Sequence, residues 1–154
     1  MRLVLALFVV ALAFARADAE DEQPLKRVAF GSCTREYKPQ PLWKAIIAAQ
    51  PDVWIWLGDI VYGEADNLTD LAARYRTLKA QPDYTALRAQ TKVLGVWDDH
   101  DYGTTNGGSD NPHKRDVQRL LLDFLDEPPE SARRTQEGVY AAYSFGPPGK
   151  QVKV

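Results

Sequence analysis

The chain has 154 residues, enough for one domain, with 45% apolar and 26% charged residues and a formal net charge of −2. That balance is ordinary for a soluble globular protein and carries no nucleic-acid-binding signature. The single cysteine, Cys33, excludes an internal disulfide.

Met1 to Ala19 reads as a secretory signal peptide. Arg2 gives the positive start, Leu3 to Phe14 is an apolar run, and Ala15-Arg16-Ala17 or Ala17-Asp18-Ala19 offers small residues for cleavage. The run is too short to span a bilayer, and no other run approaches the roughly 18 apolar residues of a spanning helix. The expectation is an exported protein, secreted or periplasmic, with no membrane span after cleavage. No feature sets an oligomeric state. In an oxidising compartment the odd thiol of Cys33 reads either as a buried small hydrophobe or as a group held by a metal.

After a polar leader from Asp18 to Pro24, Leu25 to Phe30 reads as a strand with Val28, Ala29 and Phe30 at its buried centre. Gly31 and Ser32 end it and leave Cys33 and Thr34 beyond the tip. Leu42 to Gln50 has helical spacing, with Leu42, Ile46 and Ala49 on one face and Pro51 as the stop. Val53 to Leu57 is apolar and aromatic throughout, as suits a strand buried on both faces. It breaks at Gly58 and delivers Asp59, with Tyr62 three residues later. Strand, helix and strand in this order form a βαβ unit, which brings Cys33 and Asp59 to one edge of a parallel sheet.

Asn67 or Thr69 caps a helix reaching Lys79, with Leu71, Tyr75 and Leu78 on its apolar face. Asp83 to Ala89 reads as a short helix and Val93 to Trp97 as a third strand. At its tip comes Asp98-Asp99-His100-Asp101-Tyr102-Gly103, then a glycine-rich loop. His113 to Leu125 is helical, with Val117, Leu120, Leu121 and Phe124 inward. Glu127-Pro128-Pro129-Glu130 stops it. Val139 to Phe145 has strand character, Gly146 to Gly149 reads as a turn, and Gln151 to Val154 begins another strand.

Three strand tips therefore carry ligand-type side chains: Cys33, then Asp59 with Tyr62, then Asp98 to Asp101. Adjacent carboxylates raise each other's pKa, and a multivalent cation reverses that. The alternative for the last group is a solvated acidic loop. Thiolate with phenolate favours iron, whereas carboxylate and amide oxygens suit calcium, magnesium or manganese. Such a cluster can activate water and clamp phosphoryl oxygens.

Phe30-Gly31-Ser32-Cys33, Gly58-Asp59-Ile60-Val61-Tyr62 and Trp97-Asp98-Asp99-His100-Asp101-Tyr102-Gly103, in this order, resemble the alkaline phosphatase D (PhoD-like) family. The resemblance spans Val28 to about Asn106. It implies an α/β fold, half of an αββα metallophosphatase-like sandwich with a mostly parallel central sheet and flanking helices. It implies hydrolysis of phosphate monoesters and diesters with iron (Fe3+) and calcium (Ca2+). By matching motifs, Cys33 and Tyr62 would bind iron and Asp59 would bridge the metals. Asp99 and His100 stand where related enzymes carry an Asn-His pair, to hold metal or phosphate and to stabilise charge or protonate the leaving oxygen. Arg35 is a candidate phosphate contact.

Two departures accompany the resemblance. The family's Asn six residues after the second Asp of the run is here Thr105, and Asn106, one later, is the candidate metal ligand in its place. The family's domain is about twice as long, and its later half supplies further ligands and a second sheet. The expectation is thus a signal peptide at 1–19 and, from 20 to 154, the N-terminal part of a phosphatase domain. The alternatives are a catalytically inactive fragment and a non-catalytic secreted domain that binds a partner through its Trp and Tyr residues.

Overall fold

The computed structural model describes residues 23–63, 67–103 and 105–154; the expected signal peptide lies outside them. In chain order the elements are β1 (Val28–Gly31), α1 (Leu42–Ala48), β2 (Val53–Leu57), α2 (Leu68–Lys79), α3 (Pro82–Arg88), β3 (Lys92–Val96) and α4 (Lys114–Phe124). A 3-10 turn at Ala132–Arg134 follows, then β4 (Ser144–Phe145) and β5 (Val152–Lys153). The fold is mixed α/β, with a three-stranded parallel sheet and four helices among the described residues.

The sheet order is β1-β2-β3, with Val28 opposite Val53 and Val53 opposite Lys92. Crossovers of one hand that step the same way across a sheet put all their helices on one face. The core follows this rule. Trp54 and Trp56 of β2 point into a cluster with Trp43 of α1, Leu71 and Tyr75 of α2, Tyr84 of α3, and Leu121 and Phe124 of α4. Trp56 is fully buried, and its indole N–H donates to the Tyr84 hydroxyl at 3.0 Å. The aromatic rings meet mostly edge to face, the geometry their quadrupoles favour.

The opposite face is covered only in part. Phe145 of the antiparallel β4–β5 hairpin packs on Val53 and Leu94. Beyond the hairpin, Phe30 is 66% exposed and Leu57 47% exposed. Val28 and Phe30 are therefore not the buried centre of the first strand: β1 is an edge strand, and their side chains point to the uncovered face. The strand itself begins at Val28, not Leu25. Likewise β2 is buried on one face and only partly on the other.

Two further expectations change. Helix α1 turns Trp43 inward, not Leu42, which is 72% exposed. An indole ring buries more apolar area than a leucine, so the Trp cluster sets the rotation of a short helix. The segment from Val139 pairs as a strand only at Ser144–Phe145. The buried Arg133 guanidinium takes the Val139 carbonyl for itself and also donates to the Gly95 carbonyl at 2.9 Å. It thereby satisfies an edge acceptor on β3 that a further strand would otherwise bind. Helix α2 keeps its expected Asn67 cap, whose side chain accepts from the Asp70 amide at 3.0 Å, and its expected buried residues Leu71, Tyr75 and Leu78. No helix among the described residues is long and apolar enough to cross a membrane.

The Asp52 carboxylate ties the start of β2 to the approach of β1, accepting from the Lys26 and Arg27 amides at 2.7 Å each. The backbone donors, Arg27 foremost, hold its pKa below the usual value. A depressed folded pKa gives stability present above the unfolded pKa and lost as pH falls through the folded one. Asp52→Asn should therefore flatten the acid limb of a stability-versus-pH curve below about pH 4. An unchanged limb would contradict the assignment. Trp56→Ala should lower the unfolding free energy by about 3–5 kcal/mol. Phe30→Ser should change it by about 0.5 kcal/mol or less. Urea titration of both variants checks which face is the core.

Candidate metal centre

All three parallel strands end on one rim of the sheet, and each tip turns there. Beyond β1 the Thr34 amide donates to the Asp59 carbonyl at 2.9 Å, which pins the first tip to the second. Cys33 and Asp59 both take left-handed backbone conformations, with φ of 58° and 49°. Non-glycine residues hold such angles only where the surroundings impose them, and they gather at functional sites. Asn106, with φ of 59°, is a third at the rim, while Gln50 and Asp126 take the same conformation just past helix ends away from it.

The side chains converge on one carboxylate. The Cys33 thiol approaches Asp59 Oδ2 at 3.6 Å, and the Tyr62 hydroxyl donates to the same oxygen at 3.1 Å. The other oxygen, Asp59 Oδ1, is buried without a protein partner. Ligand atoms of Asp59, Asp99 and His100 lie within 4.8 Å of one another, all on half-buried residues. The Tyr62 ring touches both neighbours: its centroid is 4.2 Å from that of His100 and 4.1 Å from the Arg35 guanidinium carbon. Burial, with help from Cys33 and Asp59, pushes the Tyr62 phenol pKa up. A cation bound there would oppose that shift.

Thus Cys33, Arg35, Asp59, Tyr62, Asp99 and His100 share one site. Asn106 reaches it through its backbone, whose N–H donates to Asp99 Oδ2. That bond, first among several causes, lowers the Asp99 pKa. Cys33 is exposed, which removes the reading of it as a buried hydrophobe. His113 stands at the start of α4, where its side chain makes no capping bond, and is not among the residues that meet at the rim. A cleft of about 310 Å³ opens beside Asp99, walled by Trp97 and Tyr102 and by Gly107 and Gly108 of the loop.

The acidic run divides. Asp99 and His100 face the rim, but Asp101 is fully buried beneath it. Its Oδ1 accepts from the Ile60 and Val61 amides at 2.9 and 3.2 Å and from the Tyr75 hydroxyl at 3.1 Å. Its Oδ2 accepts from the Asp98 amide at 3.2 Å. Burial, against these four bonds, raises its pKa to about 6. Asp101 is compensated by protein donors and needs no ion, so the four ionisable groups are not one cluster. Gly58, at φ of 91°, does more than end the strand: a Cβ there would fall 2.4 Å from that of Asp98. The break after the strand was visible; the close passage of the next loop was not. Asn111 is an element the sequence did not single out, its side chain donating to the Tyr102 carbonyl at 2.7 Å and accepting from the His113 amide.

The donor set fits a cation. It offers carboxylates, an imidazole, a phenol and a thiol, with an unpaired buried oxygen at the centre. No family model, curated protein or solved structure matches the chain.

Gly58→Ala should cost roughly 1–3 kcal/mol from overpacking, added to the strain of its positive φ. Gly149→Ala, at φ of 82° with open space around it, should show the strain alone. Urea unfolding compares the two, and equal losses would contradict the tight passage of the loops.

Proposed function

We propose that this chain carries the metal-binding rim of an exported phosphoric ester hydrolase of the alkaline phosphatase D type, with iron and calcium as its ions. One observation carries the reading: side chains from three strand tips, distant in sequence, meet around Asp59. The three motifs that prompted the resemblance contribute those side chains.

In this reading Cys33 and Tyr62 would hold the iron, Asp59 would serve both ions, and Asp99, with Asn106 beside it, would serve the calcium. The bound ions would supply Lewis-acid polarisation of the phosphoryl group and acidify water. Arg35 would orient a phosphate oxygen from the outer side of Tyr62. His100, near the Asp99 carboxylate, would donate a proton to the leaving alcohol oxygen. The alcohol portion of the ester would lodge in the cleft between Trp97 and the glycine loop. The apolar sheet face around Phe30 and Leu57 is where the second sheet of an αββα sandwich would pack, continuing the cover begun by Phe145.

A binding domain using its Trp and Tyr residues would draw on the exposed Tyr37 and Tyr140 and has less support from the tryptophans. Trp43, Trp54 and Trp56 are buried in the core, and only Trp97 reaches the surface near the rim.

The test is reconstitution with iron and calcium, followed by elemental analysis, visible spectroscopy and assay with p-nitrophenyl phosphate and bis-p-nitrophenyl phosphate. Bound iron with a tyrosinate charge-transfer band is expected. Tyr62→Phe should abolish the band, and Cys33→Ala should lower iron occupancy by about 10-fold or more. A folded protein that takes up neither metal would sink the proposal.

A further inference from the structure

The carboxylate of Asp101 touches nothing on the rim, yet it is bonded to the backbone on either side of it. Ile60 and Val61 lie between Asp59 and Tyr62, and Asp98 lies immediately before Asp99 and His100. One side chain therefore accepts from both loops, using a different oxygen for each. The Tyr75 hydroxyl anchors the same carboxylate to α2. Ile60, Val61 and Asp101 are all fully buried, so water is kept from the bonds between them; the bond from Asp98 is partly buried.

We propose that Asp101 is a positioning residue: it sets the distance between the Asp59–Tyr62 pair and the Asp99–His100 pair and so fixes the geometry in which they receive a cation. The metal readout below rests on the function proposed above; the geometric readout does not. Groups that orient ligands from behind commonly change metal affinity by about 10–100-fold. Here the orientation acts through main chain, because Asp101 holds the amides beside the ligand residues and not the ligands themselves.

Asparagine at this position separates the two links. Its Oδ1 still accepts from Ile60 and Val61, but an NH2 group replaces Oδ2 and faces the Asp98 N–H, donor against donor. Asp101→Asn therefore opens the turn that carries Asp99 and His100 while keeping the bonds from that turn to the second tip. Tyr75→Phe is the complementary control: it removes the helix anchor and leaves both loop bonds in place.

The experiment uses isotope-labelled full chain, wild type and both variants. Proton NMR reads the cross-peak between the Tyr62 and His100 rings without metal, and calorimetry reads titration with calcium chloride. For Asp101→Asn the proposal expects retained Trp56–Tyr84 cross-peaks, loss of the Tyr62–His100 cross-peak, and a calcium Kd raised about 10-fold or more. For Tyr75→Phe it expects lower thermal stability with the cross-peak kept. An unchanged cross-peak and Kd in Asp101→Asn would overturn it, as would equal loss of the cross-peak in Tyr75→Phe, which would make the effect one of general stability. If wild type binds no calcium, the function proposed above fails and the cross-peak alone judges Asp101. If Asp101→Asn does not fold, amide hydrogen exchange in wild type decides: slow exchange at Ile60, Val61 and Asp98 together supports the clamp, and fast exchange at Asp98 overturns it.

Discussion

The ladder that joins Val28–Gly31, Val53–Leu57 and Lys92–Val96 runs in one direction, so each strand must leave the sheet on the same side. Three tips are thereby delivered to one rim before any side-chain chemistry is considered. Helices fill the face behind the sheet, and the Trp43–Trp54–Trp56 cluster makes that face rigid. What remains is to hold three loops in register against their own repulsion. Two contacts between main chain and main chain or carboxylate do this: Thr34 to Asp59, and the buried Asp101 to both later loops.

The rim stores unfavourable arrangements together. Cys33, Asp59 and Asn106 sit in left-handed conformations, Asp59 keeps a buried oxygen without a partner, and Tyr62 is pushed away from ionisation. Each costs free energy in the chain alone. A multivalent cation would offset the second and third at once, by taking the orphan oxygen and favouring the phenolate.

Much of this was legible in the sequence because parallel topology converts spacing into place. An apolar run followed by ligand-type residues at each of three strands marks the rim, with a Gly break after the first two, and Leu71, Tyr75 and Leu78 show their helical face directly. The buried aromatic core was harder to read. Leu42 and Trp43 are adjacent, and only the tertiary environment of Trp54 and Tyr84 decides which one turns inward. The exposure of Phe30 was not readable either, since an edge strand with one uncovered face has the same composition as a buried one. Within the acidic run, composition and spacing do not separate Asp99 from Asp101, and only the motif resemblance singled out Asp99. One faces the rim and the other lies under it because the backbone turns between them, with Tyr102 and Gly103 donating back to Asp98 and His100.

Iron-edge X-ray absorption on the reconstituted protein bears on the central claim most directly, because sulfur and light-atom neighbours scatter differently. A shared rim for Cys33, Asp59 and Tyr62 predicts one directly bonded sulfur among oxygen and nitrogen neighbours, lost in Cys33→Ala. Iron surrounded only by oxygen and nitrogen, with a spectrum indifferent to that substitution, would contradict it.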